Sequence, residues 1–262
     1  MPTATKKPST SSAKSSSKPL KTSKSSVNNT KNVKRTTPDN AGVDKNPGQA
    51  ALDAKLAAKA IAAKAREREA EEQNARWSGK VWRASVAELK VVLTRAEEGG
   101  RTPLLLDHTE HKAVDSFYSY QMAQVIEGKK LVMQGRTAEG LAQVMEESRQ
   151  LLVRAMERGF TLYLRMTNCA ADIIKSYKDE SSLPVEVWDR QEVAEVVGKN
   201  IFEVPDSKLK QVMRTEECDG MDFFPVHKEF RVVVCSHFEE HDYQEFLAHA
   251  LPLEKMQPIV IT

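Results

Sequence analysis

Residues 102–115, TPLLLDHTEHKAVD, join an apolar run to a polar turn and then to a helix-like segment. Many nucleotide-binding folds use this order, because a buried strand leads into a loop whose N–H groups cradle phosphate at a helix start. Such a loop needs glycine for close backbone approach, and no glycine lies between Gly100 and Gly128. The stretch therefore predicts the fold of a phosphate-binding domain without a working phosphate loop.

The charge distribution divides the chain into a basic leader and an acidic body. Residues 1–50 hold ten Lys and Arg against two Asp, about +8, and the other 29 Lys and Arg face 35 Asp and Glu, about −6. No apolar run approaches the roughly 18 residues of a membrane span, and neither a signal peptide nor a lipidation box is evident. The three scattered cysteines indicate reduced thiols, so we expect a cytoplasmic protein without a membrane partner.

Residues 1–48 are predicted to form a disordered basic tail. They are rich in Ser, Thr, Lys and Pro, and they hold too few large apolar residues to offset the entropy of ordering. Two interpretations stay open: a solvated leader without a partner, or electrostatic capture of a polyanion such as a tubulin tail, a nucleic acid or anionic lipid. No aromatic residue lies among the lysines, so a nucleic-acid partner is not expected.

Residues 49–98 are predicted to be helical. The part from 49 to 77 is rich in Ala, Lys, Arg and Glu, and we expect a solvated helix there. The part from 80 to 97 carries apolar residues at helical spacing, namely Trp82, Val86, Leu89 and Leu93. This face either docks on its own domain or binds a partner as a calmodulin-type target, with the Trp as anchor.

From residue 99 to the end, predicted strands and helices alternate. The predicted strands are 104–106, 130–133, 160–166, 230–236 and 258–262. The predicted helices are 113–126, 138–158, 190–197, 206–215 and 244–251. This alternation predicts an α/β domain over 99–262, with a parallel sheet between two layers of helices.

Three segments of this domain resemble the AAA+ modules of dynein heavy chains, and above all the fifth module of the motor ring. They are TPLLLDHTEHKAVDSFYSY, LAQVMEESRQLLVRAMERGFTLYLRM and FPVHKEFRVVVCSHFEEHDYQEFLAHALPLEKMQPIVIT, in that order. His227, Phe230 and Arg231 match the module's late strand, with Lys228 where proline is usual. The resemblance covers about 78–262 and implies a P-loop-NTPase-like, AAA+-like sandwich whose phosphate loop is degenerate.

The lead-in WRASVAELKVVLTRAEEGGRTPLLLD, residues 82–107, also resembles the C-terminal domain of IQ-motif and ankyrin-repeat proteins. The chain itself shows neither ankyrin repeats nor an evident IQ motif. The two resemblances together imply a cytoskeletal protein of a flagellum or cilium. They also imply that the basic tail contacts microtubule or axonemal components.

The residues needed for nucleotide chemistry are largely replaced. Lys112 and Thr109 are the residues that would hold a nucleotide if one binds, through phosphate charge and magnesium respectively. Asp107 and Glu110 put negative charge where a triphosphate would lie, and Arg165 stands about where a hydrolytic module carries an acid. We therefore expect no catalytic residue and no cofactor.

Two further sets of residues have alternative interpretations. Cys235, His237 and His241 are candidate metal ligands, but Cys235 is expected to point into the sheet and a fourth ligand is lacking, so no metal is expected. Arg231 opens a predicted strand. It is either a structural clamp on an acid of the body or an arginine finger for a neighbouring module.

These residues and this resemblance predict a non-catalytic cytoskeletal scaffold or adaptor whose pseudo-AAA+ domain binds protein. One alternative is a nucleotide-binding regulator or weak ATPase. The other is a calmodulin-type target protein.

Overall fold

In the computed structural model, which describes residues 47–218 and 222–262, six parallel strands form one sheet. The strands are β1 (Trp82–Ala84), β2 (Thr102–Asp107), β3 (Gln124–Glu127), β4 (Thr161–Thr167), β5 (Arg231–Ser236) and β6 (Met256–Ile261). Their spatial order is β1-β6-β2-β5-β4-β3, so β2 lies in the middle between β6 and β5. The predicted tail lies outside the described residues, apart from its last two positions.

Seven helices are described in these two ranges. They are α1 (Pro47–Arg76), α2 (Leu89–Glu98), α3 (Ala113–Tyr120), α4 (Gly128–Gln134), α5 (Ala138–Arg158), α6 (Arg190–Val196) and α7 (Tyr243–Leu247). Residues 56–262 form one compact unit, and the described residues before it, 47–55, belong to α1. Within the described ranges, no helix combines the length and apolar character needed to cross a bilayer.

The central strands are buried on both faces, so their side chains alternate between two separate cores. Leu104 and Leu106 of β2 belong to one core, whereas Leu105 belongs to the other. The other central strands alternate in the same way, because successive side chains of a strand point to opposite faces. The result is a three-layer α/β sandwich, compatible with a Rossmann-like or P-loop-like arrangement.

The first core is formed by α5 and by the segment that follows β4. Leu152 and Met156 of α5 are fully buried against the sheet, as is Trp188. The hydroxyl of Thr102 donates to the carbonyl of Trp188 at 2.9 Å, which fixes this segment to the start of β2. The irregular part of the chain is therefore a layer of the fold.

The second core is formed by α2, α3 and two tryptophans that precede them. The rings of Trp77 and Trp82 stack at 6.4 Å between centroids, and both are buried. On α3, the ring of Tyr118 stacks on Tyr163 of β4 at 4.3 Å. These large side chains cover the second face of the sheet.

The helix predicted from 80 to 97 is wrong over its first part. Trp82 lies in β1 and pairs with Ile259 of β6, and α2 begins only at Leu89. The predicted face is directed at the protein's own sheet, since Trp82, Leu89 and Leu93 are buried and Val86 is partly buried against the same core. This burial does not favour the prediction that the four residues contact a partner.

The strand predicted at 130–133 is also wrong, because these residues belong to α4. In a strand, Leu131 and Met133 would share a face, yet Leu131 is fully buried and Met133 is 70% exposed. The helix predicted over 113–126 ends at Tyr120, and the strand β3 takes 124–127 instead.

Four of the predicted strands and two of the predicted helices are confirmed. The strands predicted at 104–106, 160–166, 230–236 and 258–262 correspond to β2, β4, β5 and β6, and the helices predicted at 138–158 and 190–197 correspond to α5 and α6. Gly159 ends α5 in a left-handed conformation with φ 70°. The ring of His227 occupies the space that a side chain at this position would need. The helix predicted at 206–215 is a 3₁₀ turn at Lys208–Val212, and the one at 244–251 shortens to α7.

A buried guanidinium joins α5 to the segment around this 3₁₀ turn. Arg149 is only 2% exposed and donates to both carboxylate oxygens of Glu217, at 2.7 and 2.8 Å. It also donates to the carbonyl of Val212 at 2.9 Å and to both oxygens of Glu146 at 3.0 and 3.1 Å. All three guanidinium nitrogens are thus hydrogen-bonded, which compensates for their loss of water.

We expect Arg149→Met to lower the free energy of unfolding by about 3 kcal/mol, because the carboxylates of Glu146 and Glu217 both lose the buried guanidinium that joins them. Arg154→Met is the control, since Arg154 is exposed on the same helix. It should change stability by less than about 0.5 kcal/mol. Urea unfolding followed by circular dichroism measures both, and equal losses in the two variants would contradict the assigned role of Arg149.

Candidate functional site

Polar and charged residues collect where the parallel strands end. All six carboxyl ends lie on the same edge of the sheet, which we name the carboxyl edge. Asp107 ends β2, Glu127 ends β3, Arg165 lies near the end of β4, and Ser236 ends β5. In open α/β sheets, ligands bind outside the carboxyl ends of the strands, so this edge is the candidate site.

The turn between β2 and α3 is held by the carboxylate of Asp107, which is fully buried. One oxygen accepts from the backbone N–H of Thr109 at 3.0 Å and from its hydroxyl at 2.6 Å. The other oxygen accepts from the N–H of Val114 at 3.2 Å. The Thr109 hydroxyl oxygen itself accepts from the N–H of Ala113 at 2.7 Å. We name residues 107–114 the closed turn.

The closed turn satisfies donors that a phosphate loop would offer to its ligand. Ala113 and Val114 begin α3, and the first N–H groups of a helix have no partner within the helix. In a phosphate site these groups point at the anion. Here a carboxylate of the same chain is the anion, and the threonine hydroxyl fills a second position.

The two predicted nucleotide contacts, Thr109 and Lys112, do lie together, but their polar groups bond within the closed turn. Lys112 has a left-handed backbone, with φ 50° and ψ 56°, and its ammonium group donates to the carbonyl of Asp107 at 3.2 Å. The ring of His108 contacts the carbonyl of Phe238 at 3.1 Å, which joins the turn to the chain after β5. Glu110 is exposed.

Arg165 is neutralised by a carboxylate from the neighbouring strand. Its guanidinium contacts both oxygens of Glu127, at 2.6 and 3.0 Å. A third contact reaches Asp115 of α3 at 3.8 Å. The carboxyl end of β4 thus holds a cation engaged in a bidentate pair.

Asp115 is the centre of a second group of polar side chains beside the closed turn. The hydroxyl of Tyr163 donates to one carboxylate oxygen at 2.7 Å, and His237 Nε2 lies 3.6 Å from the other. The thiol of Cys235 completes the group, and its ligand atom lies within 4.8 Å of the other two. Burial raises the pKa of the Cys235 thiol, and it lowers the pKa of His237, with the charge of Lys112 as the next cause.

Cys235 and His237 are among the metal candidates predicted from the sequence, whereas Asp115 is not. The third predicted candidate, His241, has a side chain that is 80% exposed and lies 3.3 Å from Asp242. Asp115 reaches the cysteine only because β5 lies between β2 and β4 in the sheet. The spacing of Asp115 and Cys235 along the chain does not show that they are close in the fold.

Backbone bonds between β4 and β5 fix the position of His237. Its N–H donates to the carbonyl of Thr167 at 2.9 Å, and the Ser236 hydroxyl donates to the same carbonyl at 3.3 Å. Thr167 has φ 53°, a left-handed conformation that β-branched residues rarely adopt. The hydroxyl of Ser236 therefore joins the ends of β4 and β5.

Arg231 lies at the opposite edge of the sheet and forms an ion pair inside its own domain. Its Nε is 3.6 Å from Glu97 Oε1, and the Glu97 side chain is only 8% exposed. Burial raises the pKa of Glu97, whereas the charges of Arg231 and Arg190 act in the opposite direction. This geometry is that of the structural clamp.

The fold and this edge define a class: an all-parallel α/β sandwich whose central strand-to-helix turn is closed by its own side chains. Comparison of the chain with protein-family models, with curated proteins and with solved structures gave no match. The interpretation of the site consequently depends on its own chemistry.

We expect Asp107→Ala to lower the free energy of unfolding by at least about 2 kcal/mol, because three donors lose a charged acceptor. The control is Glu110→Ala in the same turn, which should change stability by less than about 0.5 kcal/mol. Chemical denaturation of the two variants makes the comparison. A loss as small for Asp107→Ala as for the control would contradict the closed turn.

Proposed function

We propose that this chain is a non-catalytic scaffold or adaptor whose degenerate AAA+-like domain serves in protein binding. The observation that carries the proposal is the position of Asp107. Its carboxylate accepts from the start of α3, where a phosphate-binding relative would place its ligand. A nucleotide would have to displace a buried, triply bonded anion and then lie beside its negative charge.

Two further observations support the absence of hydrolysis in this proposal. Phosphoryl transfer needs a carboxylate for magnesium and a group that orients the attacking water. At the end of β4 the chain offers Arg165 instead, and its charge is held by Glu127. Lys112, the candidate phosphate contact, bonds to the carbonyl of Asp107.

The cytoskeletal part of the proposal depends on the resemblance to dynein modules and on charge. The first 50 residues carry about +8 and the rest about −6. A tail of this charge is suited to an acidic filament surface such as that of a microtubule or axoneme. The attraction between the basic tail and such a surface is long-range at low salt. We propose that the tail attaches to the filament while the folded domain binds a second protein.

Calorimetric titration of the full chain with Mg·ATP tests the proposal that the domain does not bind a nucleotide. We expect no saturable heat corresponding to a dissociation constant tighter than about 1 mM, or roughly −4 kcal/mol. Lys112→Ala should behave as the wild type does, and neither protein should gain thermal stability from the nucleotide.

A saturable heat that disappears in Lys112→Ala would contradict the scaffold proposal. It would support the alternative, a nucleotide-binding regulator or weak ATPase. Phosphate release from Mg·ATP would then separate the regulator from the ATPase.

Removal of residues 1–48 tests the proposal that the tail attaches to a filament. We expect the shortened chain to bind sedimented microtubules at least about tenfold more weakly at low salt, because the basic charge is gone. A full-length variant with the ten Lys and Arg of the tail replaced by Gln is the matched control, and it should show the same loss. Binding by the full-length wild type should fall steeply as salt rises.

Equal binding of the wild type and the shortened chain at every salt concentration would exclude the tail as the attachment site. Circular dichroism checks that the domain is folded in both chains, with the signal divided by the number of residues in the domain.

A further inference from the structure

Three side chains at the carboxyl edge present metal-ligating atoms to one point. They are Asp115 Oδ2 on α3, Cys235 Sγ on β5 and His237 Nε2 just after β5, all within 4.8 Å of one another. Zinc–ligand bonds of about 2.0–2.3 Å place the ligands of a tetrahedral site roughly 3.3–3.8 Å apart. The 3.6 Å between the carboxylate and the imidazole nitrogen falls within that range.

A second observation, independent of this geometry, points to a ligand. His237 Nε2 is buried and has no hydrogen-bond partner among the residues that the structure describes, and the side chain is only 10% exposed. A buried polar nitrogen without a partner costs free energy, so native structures normally satisfy it. The neutral form of an imidazole has a lone pair that a metal ion accepts.

The charges around the three residues also balance with a divalent cation. Two cations lie nearby: Lys112 donates to the backbone carbonyl of Asp107, and Arg165, which is paired with Glu127, also lies 3.8 Å from Asp115 Oδ2. A carboxylate and a thiolate together carry two negative charges and the imidazole carries none. A doubly charged ion therefore leaves the cluster neutral.

The supporting contacts are those of an ordered metal site. The Tyr163 hydroxyl donates to the second oxygen of Asp115 at 2.7 Å, which leaves Oδ2 directed at the cluster. The backbone of His237 is held by Thr167 on the neighbouring strand. Outer contacts of this kind orient ligands and strengthen metal binding.

We propose that Asp115, Cys235 and His237 bind one Zn²⁺, or a divalent cation of similar ligand preference, with a fourth position open to water or to a partner's side chain. Binding forms a metal–sulfur bond, and the Cys235 proton leaves to solvent. A sulfur and a nitrogen ligand distinguish this site from the all-oxygen surroundings that magnesium prefers. Metal binding at this site therefore does not depend on whether the chain binds a nucleotide.

The test is a titration of the full chain, cleared of metal by a chelator, with Co²⁺ as a spectroscopic substitute for Zn²⁺. We expect one equivalent to bind, with visible bands typical of low coordination and a near-ultraviolet thiolate-to-cobalt band. Zn²⁺ added afterwards should remove all of these bands.

Variants assign the ligands. Cys235→Ser should abolish the thiolate band, and Asp115→Asn and His237→Gln should each weaken cobalt affinity by at least about 100-fold. Tyr163→Phe, which keeps the ligands and removes an orienting donor, should weaken it by about 10- to 100-fold. Cys169→Ser and His241→Gln are matched controls, since neither belongs to the cluster, and both should bind as the wild type does.

The proposal is overturned if the wild type takes up no stoichiometric cobalt, or if the thiolate band persists in Cys235→Ser. It is also overturned if Asp115→Asn binds as tightly as the wild type. This last variant decides the matter if the buried cysteine variant fails to fold, because Asp115 lies near the surface at 17% side-chain exposure.

Discussion

The rest of the structure depends on one constraint: an all-parallel sheet must be covered on both faces. The central strands meet this requirement with apolar side chains in both directions, so both cores need their own layer. Leu152 and Met156 of α5 contribute to one layer, together with the segment around Trp188. The other is formed by α2, α3 and the stacked pair Trp77 and Trp82. The burial of the Trp82 face follows from this requirement, since the sheet would otherwise expose a large apolar surface to water.

The same parallel arrangement determines the chemistry of the carboxyl edge. Strand ends that are distant in the chain meet there, and their charges must be satisfied locally because the surroundings are largely buried. Asp107 is satisfied by the start of α3 and Arg165 by Glu127. The closed turn thus converts a position suited to ligand binding into an internal contact that stabilises the fold. His237 differs, because its Nε2 lies in the cluster without such a partner among the described residues.

Long and strongly patterned elements could be predicted from the sequence, whereas short ones could not. The apolar runs of β2, β4 and β5 and the periodic face of α5 are each readable locally. Strand β1 has three residues and lies at the sheet edge, so its tryptophan matched a helical pattern equally well. At the site, the location of Thr109 and Lys112 in a turn directly after a buried strand could be predicted from the sequence. Asp115 was missed because its importance comes from β4 and β5, which are neighbours in space alone.

The closed turn and the cluster of Asp115, Cys235 and His237 lie side by side, but they differ in how many of their polar atoms remain able to bind a ligand. In the turn, the carboxylate of Asp107 already has three donors, so a new anion gains little there and must first break existing bonds. In the cluster, Asp115 Oδ1 accepts from the Tyr163 hydroxyl, and Oδ2 lies 3.6 Å from the imidazole of His237 and 3.8 Å from the guanidinium of Arg165. In the proposed metal site, a cation would supply the missing partner of His237. The closed turn and the proposed metal site can be separated by experiment, because they depend on different residues.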